Sequence, residues 1–198
     1  MASASEPLAG ISIPGAVAGA PTSVTWNMQQ PAPPAKPTIA TDLPALRLVA
    51  LGPDDADAYY ALVDRNRGHL TQHGDYTELG RATPASILEE LRNPQSGSAR
   101  FGIWLDDALI GRADLSPRVP GHHVIGYWLG GEYTGRGYAT RACAALIRYG
   151  RDALGATAIS AGVTKGNAAS EALLGRLGFQ AIEDRGAYTL FKLSLQQS

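Results

Sequence analysis

Between Ile125 and Ala142 the chain reads Ile-Gly-Tyr-Trp-Leu-Gly-Gly-Glu-Tyr-Thr-Gly-Arg-Gly-Tyr-Ala-Thr-Arg-Ala. An apolar run with two aromatics leads into a turn built from glycines, and a helical pattern follows. Ala139, Ala142, Cys143 and Leu146 fall on one helical stripe. Backbone N–H groups in such a turn and in the first helical turn have no intrahelical acceptor, and the helix dipole adds partial positive charge there. Gly135 and Gly137 let a ligand approach the main chain closely. Residues 134–140 are therefore expected to bind a phosphate-bearing cofactor. A dinucleotide site would want Gly-x-Gly-x-x-Gly with an acidic residue about twenty positions on. Here the run is Gly135-Arg136-Gly137-Tyr138-Ala139-Thr140, and it comes late, after other strands. A Walker loop would need Gly-Lys-Ser/Thr, which is absent.

Composition narrows the class. A chain of 198 residues is long enough for one domain with a proper core. Its formal net charge is −1 with both signs interspersed, which argues against general binding to nucleic acid or anionic membranes. The single cysteine, Cys143, excludes an internal disulfide and a cysteine-based metal cluster, and no metal site is expected. Its place on the apolar stripe makes it a packing residue. With no apolar run long enough to span a bilayer, a cytoplasmic, soluble protein is expected.

Residues 1–42 read as an extension rich in alanine, proline and glycine, and residues 43–198 as the folded domain. No basic region and continuous apolar core follow Met1, so a secretion signal is not expected. Two readings of the extension stand: a disordered, proline-rich linker, or a short strand at Val24, Trp26 and Met28 docked on the domain or on a partner. Leu46–Leu51 reads as the first strand, and Gly52-Pro53-Asp54-Asp55 opens a helix with Ala56, Tyr59, Tyr60 and Val63 on its buried face. Residues 64–82 are polar and irregular. Thr83-Pro84 caps a second helix carrying Ile87, Leu88 and Leu91. Strands follow at Phe101–Leu105 and from Leu109, then the central strand 124–129, the glycine turn and a helix to about Leu154. A strand at 159–163, a helix over 167–177 stopped by Gly178, and a last strand at 191–195 complete the order. This implies an α/β (α+β) fold: a single mixed, mostly antiparallel central sheet flanked by helices.

The stretch Ile125-Gly126-Tyr127-Trp128-Leu129, followed by Gly135-Arg136-Gly137-Tyr138-Ala139-Thr140, resembles the acetyl-CoA site of the GNAT N-acetyltransferases, and most closely their RimJ/RimL-type branch. Asn167-Ala168-Ala169-Ser170 and Leu177-Gly178-Phe179 continue the resemblance at the branch's spacing, so that it covers roughly residues 45–195. It implies that the main chain at Tyr127, Trp128 and Leu129 binds the pantetheine arm of CoA. Residues Thr134, Gly135, Arg136, Gly137, Tyr138, Ala139 and Thr140 would bind the pyrophosphate. Thr134 stands where Gln or Arg is usual, but the contact is largely main-chain. Arg136 and Arg141 sit where the helix dipole disfavours cations by about 0.3–1 kcal/mol. Arg136 is read as facing CoA phosphates, and Arg141 as reaching to water. Asn167 resembles a residue that contacts pantetheine, and it could equally cap the helix that starts there. Ser170 resembles a serine placed near the departing thiolate.

Acyl transfer needs a neutral amine, a positioned thioester and a proton for the leaving thiolate. Many relatives supply a glutamate five residues before the asparagine and a tyrosine seven after it. Those positions are Gly162 and Leu174 here, and Val124 stands where the branch often has Glu. The base must come from elsewhere, and candidates are Asp114, His122, His123, Glu132, His69 and His73. Glu132 and the His122/His123 pair rank first because they flank the central strand, so the catalytic set is Ser170, Glu132 and His123. His69, His73, Asp75, Tyr76 and Glu78 of the polar segment, with Asp114, are expected to form the acceptor site. An α-amine of pKa about 7.7–8 is partly neutral near pH 7.5, whereas a lysine amine near 10.4 is almost wholly charged, so weak proton-transfer machinery suits the former. The expected activity is acetyl transfer from acetyl-CoA to a primary amine. A small-molecule acceptor (an antibiotic or other metabolite, in detoxification or self-resistance) leads over a protein N-terminus of ribosomal type. A silent acetyl-CoA-binding module is the remaining alternative, and a homodimer is left open.

Overall fold

The computed structural model describes residues 36–73, 76–94 and 96–195. The strand read at Val24, Trp26 and Met28 and the acceptor role read for Asp75 lie outside them. Eight strands of the described residues form one sheet in the order β1-β2-β3-β4-β5-β6-β8-β7. They are β1 (Thr38–Ala40), β2 (Leu46–Ala50), β3 (Ala99–Leu105), β4 (Ala108–Val119), β5 (His122–Leu129), β6 (Ala158–Thr164), β7 (Gln180–Asp184) and β8 (Tyr188–Ser194). Every neighbouring pair is antiparallel except β5 and β6. The mixed, mostly antiparallel sheet expected from the sequence is the one observed. Because β1 pairs with β2 through Thr38↔Val49, the sheet begins before residue 43.

Among the described residues six α-helices flank it: α1 (Ala56–Arg65), α2 (Arg67–Thr71), α3 (Thr77–Gly80), α4 (Pro84–Arg92), α5 (Tyr138–Leu154) and α6 (Ala168–Arg176). Their starts are chemically marked. Pro84 opens α4, and Thr83 and Ser86 cap it reciprocally: the Ser86 N–H donates to Thr83 Oγ1 at 3.1 Å and the Thr83 N–H to Ser86 Oγ at 2.8 Å. At the head of α1 the Asp55 carboxylate accepts the Gly52 N–H at 2.8 Å and pairs with Lys36 at 2.6 Å. The segment 64–82, expected to be irregular, contains α2 and α3.

Alternation in β5 divides the core. Ile125 and Leu129 face a cluster built with Ala142, Cys143, Ala145 and Leu146 of α5 and Leu173 and Leu174 of α6. Trp128 faces the opposite layer, with Tyr59, Leu62 and Val63 of α1 and Ile87 and Leu91 of α4. Gly150 lets α5 lie close on the sheet, since a Cβ there would stand 2.9 Å from Leu115 Cδ1. The long buried helix thus fixes where the glycine turn before it must sit.

Candidate active site

Where β5 and β6 meet, the sheet opens. They pair in parallel only through His122↔Ala158, His123↔Ile159 and Val124↔Ser160. Beyond these positions Gly126–Leu129 pair only with β4, and Ala161–Thr164 only with β8. Two strands that part after three pairs leave a wedge with exposed ladder groups on its inner edges. A cavity of about 350 Å³ occupies this region. Its walls are Tyr127–Leu129 of β5, the turn and first residues of α5, one side of α6, and His69, Leu70, Gln72, His73 and Tyr76.

The turn fits a pyrophosphate. Gly135 and Gly137 adopt φ of +72° and +78°, the left-handed region that glycine enters freely, and a Cβ at either would meet nothing within 4 Å. Gly137 is the N-cap of α5. Among the described residues, the first main-chain N–H of this region with a main-chain partner is that of Arg141, which donates to the Gly137 carbonyl at 3.1 Å. The N–H groups of residues 135–140 are left for a ligand, on an open cradle at the positive end of a 17-residue helix. An anionic diphosphate matches that donor set.

The opposite wall is α6. Asn167 is its N-cap, with Oδ1 accepting the Ser170 N–H at 3.2 Å. Capping and lining the cavity are therefore not alternatives, because Asn167 does both. Ser170 lies in the first turn, where its hydroxyl has no hydrogen-bond partner among the described residues. Ala169, Ala172, Leu173 and Arg176 follow at helical spacing on the same wall. This stripe, apolar up to Arg176, faces the cavity, and the residues of α6 that are buried in the core are Leu173 and Leu174.

On the wall facing α6 and the turn, His69, His73 and Tyr76 line the cavity with Leu70 and Gln72. The Tyr76 hydroxyl donates to the Tyr127 carbonyl at 2.8 Å, tying the α2 segment to the parted strand. Asn66, 5 % exposed, holds the same segment to the turn: its Oδ1 accepts the Gly131 N–H and its Nδ2 donates to the Leu62 carbonyl, both at 2.9 Å. Asn66 gave no signal in the sequence, where it reads as a polar loop residue. Arg176 did, as the next step in the spacing of three that runs through Asn167, Ser170 and Leu173.

Several sequence candidates lie outside the cavity. His123 is buried at the start of β5, about 13 Å of strand before Tyr127, where β5 is still paired on both sides. The Nε2 of its neighbour His122 lies 2.8 Å from Ser160 Oγ at the same end. The two ends of the strand differ: His122 and His123 sit at the paired end, and the cavity borders the parted one. Glu132 turns to Arg65 at 3.6 Å. Glu78 is almost fully exposed and pairs with Arg81. Asp114 pairs with Arg112 at 3.1 Å, its carboxylate filling the space that a side chain at Gly126 would need. Arg136 is exposed beside the turn, and Arg141 forms an ion pair with Asp42 instead of simply reaching to water. Cys143 is fully buried, and burial pushes its thiol pKa far up.

Comparison with known proteins agrees with this geometry. Residues 45–180, well over half of the chain, match the family described as "Acetyltransferase (GNAT) domain". The Bacillus subtilis (strain 168) protein YdaF, provisionally named a ribosomal N-acetyltransferase, is 27% identical over 136 residues, which are 65% of this chain and 74% of that protein. The fold is shared with RimL, a ribosomal L7/L12 alpha-N-protein acetyltransferase solved with coenzyme A, at a TM-score of 0.70 and 18% identity, covering 80% of this chain and 98% of RimL. It is shared too with MccE, the microcin C7 self-immunity acetyltransferase solved with acetyl-CoA and AMP, at a TM-score of 0.65 and 17% identity, covering 76% and 93%. A parted strand pair, an open glycine cradle and a match spanning both place the chain among the GNAT acetyltransferases, the enzymes that move acetyl from acetyl-CoA to an amine.

Proposed function

We propose that this GNAT enzyme acetylates a small-molecule primary amine that is partly neutral near pH 7.5. The observation that carries the reading is the acceptor side of the cavity. Tyr76 reaches across to the Tyr127 carbonyl there, and the whole space, which the cofactor also enters from the glycine turn, is about 350 Å³. That is near the lower end of ligand-site volumes and suits a compact acceptor better than an extended chain. When bound, acetyl-CoA supplies the acetyl group already activated as a thioester. The main chain of Tyr127–Leu129 and of residues 135–140 would hold and orient it, with Asn167 and Ser170 on the facing wall. His69 and His73 flank the acceptor's approach, and imidazole is the side chain best suited to take a proton near neutral pH. No glutamate stands at Gly162, which favours an amine of low pKa over a lysine side chain.

The relation to YdaF favours a second reading, acetylation of a protein N-terminus. Thiol release from acetyl-CoA, measured over aminoglycosides, polyamines, amino-acid conjugates and N-terminal peptides, separates the two. Turnover on one small-molecule class with none on peptides is expected. Turnover confined to peptides with ribosomal-type N-termini would replace the first reading by the second.

A further inference from the structure

Amine acetylation moves one proton as it exchanges two bonds. Nitrogen bonds to the carbonyl carbon and loses a proton; the C–S bond breaks, and sulfur leaves with the electron pair and takes a proton. A thiol has a pKa of about 8.5 and a phenol of about 10, so a tyrosine is a closely matched neutral donor for the departing thiolate. Leu174, where the resemblance would place that tyrosine, is fully buried in the core and carries no proton to give.

Three tyrosines besides Tyr127 line the cavity. Tyr133 and Tyr138 belong to the glycine turn and the first residue of α5, at the phosphate end, and both pack against the core beneath that helix. Tyr76 differs. Its ring packs against the α1/α4 layer, and its hydroxyl crosses to the Tyr127 carbonyl at 2.8 Å, on the edge of β5 that has lost its β6 partner. The hydroxyl donates to a carbonyl on the parted edge of β5, which places the phenol oxygen beside the wedge.

We propose that Tyr76 is the acid of the reaction. Its O–H protonates the sulfur as the C–S bond breaks, and the tyrosinate recovers a proton from the nitrogen that has just bonded to carbon. One proton passes from nitrogen to sulfur, and the phenol is regenerated. This assignment rests on the acetyl-transfer reading above and turns Tyr76 from a wall residue into a catalytic one.

The test is Tyr76→Phe, which keeps the ring packing, with kcat, its pH profile and CoA affinity by calorimetry measured on the full chain. The expected result is a fall in kcat of about a hundredfold, loss of the alkaline limb of the kcat profile, and CoA affinity within about twofold of wild type. With 3-fluorotyrosine at position 76, a more acidic phenol that fills the same site, the alkaline limb should move to lower pH. A Tyr76→Phe enzyme with wild-type kcat and pH profile overturns the assignment, and so does one whose kcat falls only in step with CoA affinity. Wild-type protein that binds CoA but acetylates no amine, or that does not bind CoA, overturns the acetyl-transfer reading and this assignment with it.

Discussion

Asn167 shows how much one side chain can carry. It ends the turn after β6, caps α6 through Ser170 and borders the cavity. Asn167→Ala should cost about 1 kcal/mol of stability through the lost cap and should also weaken CoA binding, with denaturant unfolding and calorimetry reading the two effects separately. Cys143 makes a prediction of another kind. Its folded-state pKa is raised by burial, so the native protein holds the thiol proton where the unfolded chain releases it. That contribution is whole below the unfolded thiol's pKa near 8.5, and above it stability should fall by up to about 1.4 kcal/mol per pH unit. Cys143→Ala should flatten this slope in urea titrations between pH 8 and 10. Single residues were legible in the sequence where local chemistry decides them, as with the Asn167 cap and the burial of Cys143. They were not where distant elements decide, and His123, Glu132 and Asp114 each found another environment because nothing local sets which end or face of a strand meets the cavity.

Among elements, the glycine turn with α5 was legible because its determinants are contiguous: an apolar strand, two glycines and an amphipathic helix. At Gly137, φ is +78°, a conformation that costs an L-residue roughly 1–2 kcal/mol. Gly137→Ala should lose about that much stability, and CoA affinity should fall more than tenfold because a methyl group enters the cradle. Unfolding and calorimetry together check it, and unchanged CoA affinity would remove the turn from the site. Elements without a buried face left weaker traces. All five residues of β7 are exposed, so no alternation marks it. The α2 and α3 helices are short, with Leu70 their one buried residue, and β1 has three residues in all. The wedge itself was invisible to periodicity, since pairing that stops at Val124↔Ser160 is a relation between strands far apart in the chain.

For the molecule as a whole, the sheet, its two helical layers and the cofactor cradle agree with the family match over residues 45–180. Among the described residues, no helix is long and apolar enough to cross a membrane. The cavity wall that the proposal gives to the acceptor was the least legible part. It is assembled from the polar segment 64–82, whose placement depends on Asn66 gripping Gly131 and on Tyr76 reaching Tyr127, contacts spanning more than fifty residues. On this reading the open edge of β5 and the main-chain donors of residues 135–140 form one acetyl-CoA site. Thermal unfolding of the full chain, with CoA titrated to about 100 times its Kd, tests it most directly. A site that binds only the folded state should add about 2.7 kcal/mol, raising Tm by roughly 5–11 °C for a domain of this size, with Gly137→Ala blunting the rise. A Tm that does not move at millimolar CoA, in wild type and variant alike, would contradict it.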